Sequence, residues 1–390
     1  MRLGELERRY LSGTFAELCR IESPSGRERA CAQRVIAELR AVGVGVEEDD
    51  AGPAAGSDCG NLLARIPAAG EGRRSVLLCA HLDTVPLQAP VEPVLRDGFW
   101  ENANEGILGA DNKAAVAVLL ALARHIRRTG SPADVELLFT VGEEVSLAGS
   151  RELDASRLRS DLGFVFDHAS PLGEIVMASP THFRIEAAFR GLAAHAGIRP
   201  QEGRSAILAA ARAIAAMRLG RLDEHATANV GTIAGGTAIN VVPERCTLLM
   251  EARAIPLPGQ SENGRAEALV SEIVDRLHEA ANAPDCDCDV DVDVRRMFSG
   301  YRLAASSAAV RVAEAALRRC GHEPVRISSG GASDANTLIA KGLATVNVAN
   351  GTERNHEPGE RVSVLALEQT LEVALALLDQ VAALDAGAAV

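Results

Sequence analysis

Aromatic residues are scarce in this chain, at 3% of 390 positions with a single tryptophan. Any large core must therefore be filled by aliphatic side chains, which dominate the 47% hydrophobic fraction. Positive charge is also in deficit. The formal net charge of -13 disfavours nucleic acid or an anionic membrane face as a partner, because both demand neutralising cations. No apolar run approaches the roughly 18 residues of a membrane span. The opening residues, Met1 to Arg9, lack the apolar core of a secretory leader. Cys19, Cys31, Cys59, Cys79, Cys246, Cys286, Cys288 and Cys320 include no C-x-x-C pair, which argues against a disulfide frame or a zinc knuckle. Small buried thiols in a reducing cytoplasm are the expectation.

A chain of this length exceeds the roughly 250 to 300 residues at which single cores stop growing, so two domains are expected. Strand-forming runs alternate with helical periodicity through the first 179 residues. The run Ser75-Val-Leu-Leu-Cys-Ala ends in His81-Leu-Asp83, with two polar side chains on one side of an extended strand end. A carboxylate beside an imidazole fixes its tautomer and leaves the other nitrogen free for a metal. Asp111, in Gly109-Ala-Asp111-Asn-Lys113, precedes the strongest helical stretch, Lys113 to Arg128. Residue type alone leaves it as either a helix cap or a ligand. The run Val135 to Val141 ends in Gly142-Glu143-Glu144, and Leu162 to Phe166 ends in Asp167-His168. Adjacent glutamates at a strand end repel when both are ionised, and a cation removes that cost. Parallel strands share a direction, so their C-terminal ends bring such residues to one edge.

From Thr181 the pattern changes to strand, helix, strand, strand, helix, strand, the order of a ferredoxin-like sandwich. Residues 180 to 296 are expected to form an inserted α+β domain between catalytic segments 1 to 179 and 297 to 390. Asp287, Asp289, Asp291 and Asp293 alternate with Cys and Val, so they read as the solvated face of a strand rather than a calcium loop. Cys286 and Cys288 fall on the apolar face. The α/β pattern then resumes. Ser329-Gly330-Gly331-Ala-Ser333-Asp334 forms a glycine-rich turn able to receive an anion, and His356 follows the strand Leu343 to Ala349.

His81, Asp111, Glu144, Asp167 and His356 together supply two imidazoles and three carboxylates. Two zinc ions about 3.5 to 4 Å apart, each with one His and one carboxylate and sharing a third carboxylate, would use all five. Glu143 is left free to act as a general base.

These motifs, in this order and over nearly the whole chain, resemble the co-catalytic zinc peptidases and amidohydrolases that include aminoacylase, carboxypeptidase G and peptidase T, with the peptidase T-like branch most similar. The resemblance implies a catalytic α/β/α domain with a mixed, mostly parallel sheet and an inserted ferredoxin-like lid and dimerisation domain. It implies that His81 and Asp167 bind one zinc, Glu144 and His356 the other, with Asp111 bridging. Cobalt or manganese are alternatives to zinc. It further implies that Asp83 orients His81, that Glu143 is the base, and that His195 polarises the scissile carbonyl, often across a homodimer. Asn240, Arg253, Gly331 and Asp334 fall where substrate is held, although Arg253 in a strand is equally suited to a structural ion pair. Asn112 and His168 depart from the pattern of relatives and bear on tripeptide specificity.

The expected activity is hydrolysis of short peptides by a water activated between the metals, in a cytoplasmic enzyme. An N-acyl amino acid amidohydrolase would use the same centre. A non-catalytic binding protein should have lost a ligand or the base, and none is missing.

Overall fold

The computed structural model describes residues 3 to 70 and 74 to 384. The glycine-rich run Gly70 to Gly72, which reads as a turn, lies mostly outside these residues, as do Met1 and Arg2. The chain divides into two compact units. One comprises residues up to Met177 together with Leu303–Ser328 and the chain from Ser333 onward; the other comprises Ala178–Arg302 and Ser329–Ala332.

The first unit is built on a mixed sheet. Its order runs Val46–Glu48, Leu62–Ile66, Asp134–Thr140, Ser75–His81, Leu162–His168, Ala344–Ala349 and Glu174–Ser179. The strands Asp134–Thr140, Ser75–His81, Leu162–His168 and Ala344–Ala349 are mutually parallel, and antiparallel strands flank them. The parallel strands are near-continuous apolar runs because both of their faces are covered. Val76, Leu78, Phe139, Phe164 and Val346 are all buried. Each such side chain contributes about 1.5 to 3 kcal/mol through burial.

The helix Ala110–Thr129 packs on this sheet and against the helices Glu5–Cys19 and Val364–Ala382. Residues 114 to 123 are buried on every side, which explains their uniform Ala, Val and Leu composition. Its last turn carries Arg127 and Arg128, matching the negative end of the helix dipole.

Several local expectations change. Ser25 or Gly26 suits a cap for the second helix by residue type, but the helix Arg29–Ala41 starts after Glu28 with no side-chain cap, and Ser25 donates to Asp83. The polar insert after Pro86 contains a hairpin, Pro93–Arg96 and Phe99–Asn102, that joins Arg361–Ser363 and Thr352–Glu353 in a small antiparallel sheet. Asp97 and Gly98, both at positive φ, form its two-residue turn, and Asp-Gly was a legible signal for it. The strand Glu174–Ser179 runs antiparallel beside Ala344–Ala349, and the helix Val364–Ala382 closes the first unit.

The second unit is a five-stranded antiparallel sheet ordered Gly220–Asp223, Ala226–Gly235, Arg245–Ala254, Thr181–Arg190 and Asp289–Phe298. Leaving out the short Gly220–Asp223 hairpin strand, this is the ferredoxin-like arrangement. The helices Ala206–Ala216 and Gly264–Ala281 pack on it through Ala209, Ala213, Leu269 and Ile273 against Ile185, Phe189 and Leu248. The last strand begins at Asp289. Asp289, Asp291 and Asp293 are exposed along it, whereas Asp287 precedes it at φ 43° and pairs with Arg204 at 2.9 Å. Cys286 and Cys288 are buried.

Candidate metal centre

Five segments of the first unit meet at the C-terminal edge of the parallel strands. His81 is the last residue of its strand and is 1% exposed. Its Nδ1 lies 3.0 Å from the Asp83 carbonyl and 3.3 Å from the Asp83 carboxylate. Its Nε2 lies 3.2 Å from Asp111 Oδ1 and 3.7 Å from Asp167 Oδ1. The other oxygen of Asp111, Oδ2, lies 3.1 Å from His356 Nε2, and that nitrogen is 2.9 Å from Glu144 Oε1. Asp111 thus presents one oxygen to each imidazole. Asp111 makes no capping bond, and Gly109 at φ 77° occupies the cap position.

The geometry follows from how each loop is held. Asp83, fully buried, accepts the backbone N–H groups of Glu143 and Glu144 at 3.0 and 3.1 Å and the Ser25 hydroxyl at 2.7 Å. One carboxylate therefore fixes both the His81 ring and the Glu-Glu turn. Glu28, also buried, accepts from Gly142 N–H at 3.1 Å. Gly142 itself is at φ 59°, a left-handed turn suited to glycine. Asn347 clamps Asp167 through both main-chain groups, accepting from its N–H at 3.0 Å and donating to its carbonyl at 2.9 Å. Ser25, Glu28 and Asn347 carried no sequence signal, because each reaches its partner across 58 to 180 positions.

The electrostatics describe a site crowded with negative charge. Burial, then Asp167, pushes the Glu143 carboxyl well above its ordinary range. Burial, then Asp111, lifts Asp167 to about 7. Glu144 is raised as well, first by burial. Burial pulls His81 down, but Asp167, Asp111 and Asp83 outweigh it and hold the imidazole well above its usual value. Hydrogen bonds to Asp111 and Glu144 raise His356 to about 10. Asp111 is pressed below the carboxylate range by the two imidazoles despite burial.

The donor set fits divalent cations. The trios His81, Asp111, Asp167 and Asp111, Glu144, His356 each place their ligand atoms within 4.8 Å of one another and share Asp111. Glu144 Oε1 is buried, and it faces His356 Nε2 at 2.9 Å. Nitrogen and oxygen donors of this kind suit zinc and its first-row neighbours. Glu143 also has an oxygen within 4.8 Å of His81 and Glu144 ligand atoms.

The remaining candidates are placed differently. Asp334 is 1% exposed and accepts from Thr140 Oγ1 at 2.5 Å, beneath the strand that leads to Glu143. Its carboxylate therefore also supports that strand. In the second unit, the Ala196 N–H donates to the Asn240 carbonyl at 2.9 Å, so the His195 and Asn240 loops run side by side. Arg253 pairs with Glu251 at 3.1 Å, and Gly331 accepts from the Ser179 hydroxyl through its carbonyl at 2.9 Å.

The model of peptidase family M20/M25/M40 matches residues 77 to 380. The chain belongs to this family. Within it, the M20 chain lies on the peptidase T-like branch. The crystal structure of aminopeptidase PepT from Bacillus cereus is 34% identical, covering 96% of this chain and 99% of that one, with a TM-score of 0.87. A tripeptidase structure from Staphylococcus aureus is 31% identical over 96% and 98% of the two chains, with a TM-score of 0.89. An uncharacterised Bacillus subtilis protein is 33% identical over 96% of this chain and 99% of its own length. The M20 chain is accordingly a peptidase, with the mixed sheet and separate sheet domain of that fold.

Proposed function

We propose that this peptidase is a dinuclear metalloenzyme that removes residues from short peptides with a free amino terminus. The observation that carries the reading is Asp111, whose two oxygens face two different imidazoles at 3.2 and 3.1 Å. His81 and Asp167 would hold one zinc, Glu144 and His356 the second, and Asp111 both. When bound, such a pair polarises a scissile carbonyl and lowers the pKa of water towards 7. Glu143 takes the proton of the attacking water and returns it to the leaving amine. Its enclosed position, 9% exposed, keeps bulk water from competing for that proton. Asp83 holds His81 and the Glu143–Glu144 turn in one geometry. His195 keeps its assignment from the family motif as the group that polarises the scissile carbonyl, and Asn240 and Arg253 theirs as substrate-holding residues, with Arg253 doubling as an ion-pair partner of Glu251.

A homodimer through the second unit belongs to the same proposal. Ile207, Leu208, Ile233 and Ile239 leave that unit with exposed apolar side chains, which supports an association surface. A cytoplasmic location is consistent with eight free cysteines. No helix of the described residues is long and apolar enough to cross a membrane.

The test pairs metal content with substrate choice. Purified protein is expected to bind two divalent metals per chain and to cleave a free-amine tripeptide, losing activity on chelation. Cleavage of the N-acetylated counterpart in preference to the free tripeptide would assign it to acyl amino acids instead. A chain that binds no metal would remove the mechanism.

A further inference from the structure

Glu360 lies four residues beyond His356, is 1% exposed, and belongs to none of the ligand trios. Its Oε2 accepts the main-chain N–H groups of Leu108 and Gly109 at 2.8 and 2.7 Å, and its Oε1 accepts that of Asp111 at 2.8 Å. These three donors lie before or in the first turn of the helix that follows, where main-chain N–H groups have no carbonyl partner within the helix. A buried carboxylate makes the strong, charge-assisted acceptor that such a cluster of N–H groups requires. The contact also joins two ligand-bearing loops, since Asp111 and His356 come from segments 245 positions apart. Among the described residues no strand pairing joins Asp111 to the His356 loop, and the Glu360 carboxylate, four residues along that loop, bonds the Asp111 main chain directly.

We propose that Glu360 is a positioning residue for the metal centre. It sets the separation between the shared carboxylate of Asp111 and the imidazole of His356, and so the fit of the cation between them. Its two oxygens are occupied by N–H donors, which leaves it as a support and not a ligand. The inference rests on the dinuclear reading above and adds a residue to it.

The experiment compares Glu360→Gln and Glu360→Asp with wild type, and uses Glu136→Gln as a control. Glu136 is a second buried carboxylate that accepts main-chain N–H groups, from Arg159 and Ser160 at 2.8 and 3.0 Å, on a strand whose far end leads to Glu143. Three readouts are taken: zinc affinity against a competing chromophoric chelator, the visible spectrum of the cobalt-loaded protein, and kcat and KM separately. For Glu360→Gln, zinc affinity is expected to fall roughly 10- to 100-fold, the range for losing a group that orients a ligand. The cobalt spectrum should change, and kcat should fall with KM nearly constant. Glu360→Asp, which keeps the charge but is one methylene shorter, should fall between the two; it also serves if the Gln variant does not fold. Glu136→Gln should lower the melting temperature and leave affinity and spectrum as in wild type.

The proposal is overturned if both Glu360 variants retain wild-type affinity and spectrum. It is equally overturned if Glu136→Gln reproduces their losses at a matched drop in melting temperature. A wild-type chain that takes up no metal overturns the dinuclear reading first and this proposal with it.

Discussion

Glu143 sits among carboxylates without a capping or pairing duty of its own, which makes it the side chain whose chemistry can be isolated most cleanly. Glu143→Gln preserves shape and removes the proton acceptor. Turnover is expected to drop by about 10² to 10⁴, the usual contribution of a positioned general base, with metal content unchanged. Elemental analysis of the variant beside its steady-state kinetics checks this; loss of a metal would make Glu143 a ligand. A second residue-scale outcome concerns Glu251. His182, 3.2 Å away, and Arg253 hold its carboxyl down to about 2 against burial. A carboxylate whose folded pKa is depressed stabilises the fold above its unfolded value near 4.5, and that contribution disappears as pH falls towards 2. The melting-temperature gap between wild type and Glu251→Gln should therefore be largest near neutrality and narrow steadily below pH 5. A gap that widens on acidification would contradict the assignment.

At the scale of elements, the turn after the strand Asp134–Thr140 leaves little room for change. Gly149 opens against it: an added Cβ would lie 2.3 Å from the Val141 carbonyl and 2.5 Å from the Asn61 side chain. Asn61 in turn accepts from the Val141 N–H at 3.2 Å and donates to the Gly149 carbonyl at 2.9 Å. Gly149→Ala is expected to push this lattice apart and shift the Gly142–Glu144 turn, costing about 1 to 3 kcal/mol as overpacking does. Urea unfolding measures the loss, and zinc titration should show weakened binding at the site containing Glu144. By comparison, Leu78→Ala removes buried strand surface and should cost about 2 to 5 kcal/mol while the ligand loops keep their partners.

For the whole molecule, two separate apolar clusters underlie the two units, one around Leu78 and Phe164 and the other around Ile185 and Leu248. Unfolding is expected to depart from a single transition, because each cluster is a cooperative unit in its own right. Metal binding acts on the first of them. Zinc at about 100 times its dissociation constant should stabilise that unit by about 2.7 kcal/mol per site, and chelation should withdraw the gain. Calorimetry with and without chelator should move one transition and leave the other in place; equal movement of both would refute the division.

The sequence alone determined the broad plan and which candidate residues fall at strand ends. Apolar runs ending in His81, Glu143–Glu144 and Asp167 marked parallel strands whose ends share an edge, and the strand and helix order after Thr181 marked the second unit. Those signals are local, because strand and helix periodicities are written in neighbouring residues. Tertiary structure decided what depends on distant partners. It set Asp111 facing two imidazoles, enclosed Asp334 in the interior, and placed Glu28, Asn347 and Glu360 against main-chain groups of the ligand loops. It also built a small sheet from Phe99–Asn102 and Arg361–Ser363, segments too short and too far apart to announce their pairing. A hydrogen bond between residues hundreds of positions apart leaves no periodic trace, so only the folded chain reveals it.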